Sequence, residues 1–180
     1  MTLRRRSLLA AAGLWACGAA AAPKAPPELA ADLPAAQLQG SGRMRFFGLL
    51  VYDARLWADK PVPAADWAAA PFALELEYAR GLNGEQIAER SLVEMKRQGE
   101  IAADTARRWL ATMKTIFPDV KEGDRITGLN LPGKAARFFV NGSLRGEVPE
   151  PDFARAFFGI WLSPRSSEPA LRQALLGQTS

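Results

Sequence analysis

Histidine is absent from the chain, and its one cysteine, Cys17, lies near the N-terminus. The first absence excludes a His-based catalytic triad, a His general base and the common His-containing zinc sites. The second leaves the rest of the chain without an internal disulfide or a thiol nucleophile, so its stability must come from packing. No apolar run reaches the ~20 residues that a membrane-spanning helix needs. An excess of positive charge is also missing where it would matter. The 23 basic and 19 acidic side chains give a formal +4, but Arg4, Arg5 and Arg6 account for three of these. Without them 20 basic residues face 19 acidic ones, and no basic stripe remains to track a phosphate backbone. Nucleic acid is not an expected partner.

What is present begins with a leader. Arg4–Arg6 precede an apolar stretch from Leu8 to Ala16 and small residues from Gly18 to Ala22. That order is the pattern of a secretory signal over residues 1–22. The run RRRSLL resembles a twin-arginine signal, so a periplasmic location is the expectation. Leu14-Trp15-Ala16-Cys17-Gly18 is similar to a lipoprotein processing site, which makes Cys17 a lipidation candidate and lipid anchoring in the envelope the alternative. Membrane contact is expected only with that modification. Residues 23–36 are rich in Pro and Ala, show no periodic apolar face and read as an extended tether. Residues 37–180 then form one domain of ordinary size.

Within the domain, Gln37–Trp57 reads as two strands bent at Gly48. Strict alternation would put Leu49, Val51 and Asp53 on one face and Leu50, Tyr52, Ala54 and Leu56 on the other. Phe72–Ala79 is the cleanest strand: Phe72, Leu74, Leu76 and Tyr78 alternate with Ala73, Glu75, Glu77 and Ala79, giving one greasy face and one wet or charged face. Glu85–Gln98 reads as a helix stopped by Gly99. A second helix runs from Asp104, its expected N-cap, to Phe117, with Pro118 ending it. Asp119–Asp124 is a charged turn without calcium-loop spacing, and no metal is expected. Pro132-Gly133 and Asn141-Gly142 mark tight turns between three strands. Phe153, Phe157, Ile160 and Trp161 repeat at helical spacing, and a last helix starts near Ser166 or Ser167 with Pro169 in its first turn. Strands, two helices, strands, two helices predict an α+β fold, a largely antiparallel sheet with helices packed on one face.

Several fragments, taken in order, carry a resemblance. Gly40-Ser41-Gly42 is followed by Val51-Tyr52-Asp53-Ala54 and Leu56-Trp57. Ile87-Ala88-Glu89, Phe117-Pro118-Asp119-Val120, Gly123-Asp124 and Leu131-Pro132-Gly133 come next. Phe138, Asn141-Gly142 and Phe157-Phe158-Gly159-Ile160-Trp161-Leu162 complete the set. Together they resemble the chalcone isomerase-like family, in its branch of small exported bacterial proteins. The resemblance implies an open-faced β-sandwich with a ligand cleft between sheet and helices. That family contains both enzymes and non-catalytic fatty-acid binders.

In plant chalcone isomerases an arginine on the first strand clamps the substrate, and a tyrosine and an asparagine on the following helix orient it. The resemblance places Met44, Ile87 and Glu94 at these three positions. Cyclising a phenolate needs cationic or hydrogen-bonding stabilisation of negative charge, and Glu94 opposes that. Chalcone isomerase activity is therefore not expected, and no catalytic residue or cofactor is assigned. The cleft candidates are Met44, Arg45, Tyr78, Ile87 and Glu94. The leading expectation is a non-catalytic exported protein that binds a hydrophobic small molecule, a fatty acid or an envelope partner. The alternative is an isomerase or lyase with a relocated site using Tyr78, Glu94 or Arg45. A third reading, an assembly module, requires that there be no pocket.

Overall fold

The computed structural model describes residues 23–178. The signal sequence read at 1–22 and the lipidation candidate Cys17 lie outside the described residues. The elements, in order, are β1 (Gln37–Phe46), β2 (Leu49–Ala58), β3 (Phe72–Tyr78), α1 (Gly84–Gln98), α2 (Ala103–Ile116), β4 (Arg125–Leu131), β5 (Ala135–Val140), β6 (Ser143–Val148), α3 (Pro151–Leu162) and α4 (Pro169–Leu175). Two short 3₁₀ turns, Pro27–Leu29 and Trp67–Ala69, accompany them.

The six strands pair in chain order, β1-β2-β3-β4-β5-β6, and every pair is antiparallel. Pro132-Gly133 and Asn141-Gly142 make the turns between β4, β5 and β6. Both Asn141 and Gly142 have positive φ, as a two-residue turn matched to strand twist requires. Between β3 and β4 the chain leaves the sheet for α1 and α2. A bridge between Leu82 and Val120 closes the base of that excursion.

The α1 helix starts where the Asn83 side chain accepts a hydrogen bond from the Gln86 N–H at 3.2 Å. In α2 the expected cap is corrected by two residues. Ala102 holds the cap position and Asp104 lies in the first turn, where its charge still opposes the positive end of the helix dipole.

The helices cover one face of the sheet, as the α+β pattern predicted. Leu56, Leu74, Phe72 and Phe138 from the strands meet Met95, Met113, Phe153 and Phe158 from the helices in one core. At the edge, α4 lies directly on β1. A Cβ on Gly40 would sit 2.1 Å from the Ala174 carbonyl oxygen, and one on Gly42 would sit 2.6 Å from Leu171 Cδ1. Gly40-Ser41-Gly42 is therefore a landing site for a helix.

The opposite face departs from expectation. The stretch 23–36, read as an extended tether, crosses the back of the sheet. Leu29 and Leu33 bury against Trp57, Ala73, Leu129 and Phe139. Fully burying a leucine is worth roughly 1.5–3 kcal/mol, enough to fix a segment that lacks periodicity. Glu28 accepts from Arg125 and Thr127, and Asp32 pairs with Arg137 at 2.7 Å. The face of β3 expected to be wet or charged is consequently dry at Ala73 and Glu75. The buried Glu75 carboxylate accepts from Trp57 Nε1 at 2.6 Å and from Arg55 Nη1 at 3.1 Å.

Candidate ligand cavity

The turn joining β1 to β2 consists of Phe47 and Gly48, with φ of 48° and 78°. A left-handed conformation costs a bulky residue on the order of 1–2 kcal/mol, and asparagine or glycine would adopt it more cheaply. The sequence places Phe46-Phe47-Gly48-Leu49 here instead. Phe47 is 90% exposed, Phe46 53% and Leu49 57%. Just beyond the turn the pairing slips: Met44 faces Tyr52, but Arg45 faces Leu50, so Val51 is an extra residue. Such a bulge re-aims side chains. Leu49, Val51 and Tyr52 all line one hollow, and Leu50 does not. The alternation expected from sequence is overturned at this point for that reason.

The hollow has a volume of about 440 Å³, within the ~300–1,000 Å³ range of small-molecule sites. Its floor is the sheet, through Met44, Tyr52, Leu76 and Tyr78. Its walls are Ile87, Ser91 and Glu94 on α1 and Phe157, Ile160 and Trp161 on α3. The hairpin tip forms part of its mouth. Of the five candidates from sequence, Met44, Tyr78, Ile87 and Glu94 converge here. Arg45 does not: it is exposed and donates to the Gly48 carbonyl oxygen at 3.1 Å. Arg43, its near neighbour, pairs with Asp53 at 3.0 Å.

The polar groups of the cavity are few. Trp161 Nε1 donates to the Tyr52 hydroxyl at 3.0 Å, which leaves that hydroxyl its own proton to donate. The Tyr52 and Tyr78 rings meet edge to face, 5.9 Å apart. Burial pushes both phenols well above their ordinary value; the Trp161 hydrogen bond partly opposes this for Tyr52. Both therefore remain neutral around pH 7 and neither supplies a phenolate base.

Glu94 is the one buried acid on the cavity wall, its side chain 6% exposed. Arg90 Nη2 and Arg97 Nε approach its oxygens at 2.6 and 2.9 Å. These are ion-pair distances, yet neither carboxylate oxygen gains an aligned hydrogen bond among the described residues. Two arginines that the sequence reading did not place here, Arg80 and Arg90, line the cavity together with Glu168. A signal for Arg90 existed: it stands one turn before Glu94 on the same helix face as Ile87. Arg80 lies just past the end of β3, where strand periodicity gives no guidance. The cavity thus has a mostly apolar lining that also carries both signs of charge.

A wider hollow of about 790 Å³ lies beside the α1–α2 connection and the start of α3. Arg108, Glu150, Asp152 and Arg165 line it, and Glu150 accepts from both Arg108 and Trp109. It is an open groove of mixed lining, with Trp67, Met95, Ile101 and Trp109 among its charged groups.

The structure is thus an antiparallel sheet carrying helices on one face, with a mostly apolar cavity between the layers. The sequence profile of the chalcone isomerase-like family matches residues 21–177, and the chain belongs to that family. An uncharacterised protein of Haemophilus influenzae is 30% identical over 109 residues, which make up 61% of this chain and 53% of that protein. The match thus spans about half the length of that relative. Among solved structures, a fatty-acid binding protein of Arabidopsis thaliana superposes with a TM-score of 0.63 at 15% identity. The superposition covers 79% of this chain and 87% of that one. At that identity the likeness is one of fold.

Proposed function

We propose that this protein is a non-catalytic binder of an elongated, lipid-like molecule, held between the sheet and helices α1 and α3. The observation that carries the reading is the 440 Å³ cavity, whose lining is mostly aromatic and aliphatic with Arg80, Arg90, Glu94 and Glu168 as its charged members. The likeness in fold to the Arabidopsis fatty-acid binding protein supports the same ligand class. A neutral headgroup, such as an alcohol or ester, suits the cavity best. Glu94 already occupies Arg90, and an added carboxylate would face both Glu94 and Glu168.

The rival reading, an isomerase or lyase with a relocated site, has less to work with. Its candidate cation Arg45 is outside the cavity, its tyrosines keep their protons, and Glu94 is flanked by two arginines. The leader around Arg4–Arg6 is the reason for assigning the protein to the cell envelope, and the intact mass of the mature chain tests that assignment.

For ligand binding, the test is native mass spectrometry with solvent extraction of the purified protein, followed by displacement of a fluorescent hydrophobic probe. A co-purifying lipid and displacement by long-chain alcohols or acids are expected. Protein that carries no lipid and takes up no probe would defeat the reading.

A further inference from the structure

The hairpin between β1 and β2 has more apolar surface at its tip than a solvated turn needs. Phe46, Phe47 and Leu49 are three of the five large hydrophobic side chains exposed on the described surface, and they fall within four consecutive residues. Phe46 and Phe47 pack edge to face, with ring centres 4.5 Å apart, so they present a single aromatic knob. Phe47 holds a left-handed backbone conformation with nothing in the fold covering it. Strain kept at an exposed site points to a task for the side chain.

Two further observations indicate what covers the knob. First, all three side chains also border the mouth of the apolar cavity. Second, the surroundings are cationic. Arg45 folds back on the turn, Arg80 and Arg90 stand at the cavity, and Arg43 lies further along β1. The acids facing this region are Asp53, bound to Arg43, Glu94, flanked by Arg90 and Arg97, and Glu168 at the mouth. Aromatic residues at a tip, with Arg45 on the turn and Arg80 at the adjoining cavity, match the interface of an anionic bilayer: apolar rings enter the headgroup boundary and guanidinium groups meet the phosphates.

We propose that the Phe46–Leu49 tip docks the protein on an anionic lipid surface, with the cavity mouth opening toward that surface. The docking stands on the tip and its charges alone; the alignment of the mouth with the bilayer rests on the lipid-binding reading above. Membrane contact then needs no lipid on Cys17, which the sequence had suggested as its only route.

The test is flotation of the full chain with vesicles of phosphatidylcholine, with or without phosphatidylglycerol. Wild type is compared with Phe47→Asn and Arg45→Gln. Phe47→Asn creates the Asn-Gly pair that this turn geometry favours, so its melting temperature should equal or exceed that of wild type. Any contribution of residues 1–22 is common to all three proteins and cancels. The expected result is binding to the anionic vesicles, weakened roughly tenfold by Phe47→Asn, about what burying one aromatic ring is worth. Arg45→Gln should weaken binding only where phosphatidylglycerol is present. Equal flotation of wild type and Phe47→Asn would overturn the proposal. So would a wild type that ignores vesicles but loses self-association, or capture of a partner protein, on Phe47→Asn. Probe uptake by wild type in vesicle-free buffer reads the cavity separately. If that uptake fails while tip-dependent flotation persists, the cavity reading falls and the docking stands.

Discussion

Glu28 and Arg125, 97 residues apart in sequence, clasp each other across the back of the sheet. One guanidinium nitrogen of Arg125 reaches both carboxylate oxygens, at 2.9 and 3.0 Å, and Thr127 donates to the same carboxylate at 2.9 Å. The Glu28 side chain is almost fully buried, whereas Arg125 is partly exposed. Breaking such a pair from one side leaves the other charge desolvated. Glu28→Ala should therefore lower unfolding free energy by about 2–4 kcal/mol, read from urea denaturation. Glu28→Leu with Arg125→Leu should cost less than the two single changes summed. Strict additivity would mean that the contact contributes nothing.

The same clasp bears on where the folded unit begins. A chain starting at Pro23 keeps Leu29 and Leu33 on Trp57 and Phe139; a chain starting at Gln37 exposes that patch, takes Glu28 from Arg125 and leaves Arg137 with Glu147 alone. The shorter chain should be less stable by at least about 3 kcal/mol, from the loss of two buried leucines, and should aggregate at lower temperature. Equal melting curves for the two would show that the segment only decorates the sheet.

Residues 23–36 also mark the limit of what the sequence made legible. Periodicity found the strands and helices because each element has a face, and Pro or Gly punctuates the ends. It could not find a segment whose apolar anchors are two leucines four residues apart among prolines and alanines, and whose charges, Glu28 and Asp32, meet partners about 100 residues away. The face of β3 expected to be wet or charged does carry charge at Glu75 and Glu77, but the burial of Glu75 on the covered side of the sheet was not legible. At the cavity, Met44, Ile87 and Glu94 were placed through the family pattern and Tyr78 through the apolar face of its strand, and the structure brings the four together. Arg45 was misplaced: it lies on the solvent side of β1. The bulge at Val51 was invisible because one extra residue leaves no compositional trace, yet it turns Leu49 and Val51 inward.

The chain has two tyrosines, Tyr52 and Tyr78, and both line the cavity. Burial raises the folded-state pKa of each above its ordinary value. In the unfolded chain they ionise near pH 10; in the folded chain they do not. Their contribution is thus fully present below about pH 10 and is lost as pH climbs through the range between the unfolded and folded values. Phenolate absorbance should appear only with unfolding, at one shared midpoint. Reversible ionisation of a native tyrosine near pH 10 would contradict a dry cavity. Tyr78→Phe should reduce the alkaline loss of stability without abolishing it.

At the acid end the relevant group is Glu150, whose carboxyl is held below the ordinary range by hydrogen bonds from Arg108 and then Trp109. A lowered folded-state pKa gives stability that is present above the unfolded value, near pH 4.3, and disappears as pH falls through the folded one. Glu150→Gln should flatten the loss of stability below about pH 5 and leave the alkaline limb unchanged. An unaltered acid limb would mean that the pair is too exposed to matter.

Glu94 decides which headgroup the cavity accepts. Its carboxylate holds Arg90 at 2.6 Å and brings negative charge to a wall that otherwise carries Ile87 and Ser91. Glu94→Gln removes that charge and frees Arg90, whereas Arg80→Gln removes a cation from the mouth. The first change should shift relative affinity toward a fatty acid over the matching alcohol by about threefold to fivefold, the scale of a partly exposed ion pair. The second should shift it the other way. Ile87→Trp should block both ligands by filling the interior, with a stability change within about 1–3 kcal/mol. Competition with a fluorescent probe measures all three. If acid and alcohol respond alike to Glu94→Gln, the headgroup lies away from α1. If Ile87→Trp binds both ligands as well as wild type, the ligand does not occupy this cavity.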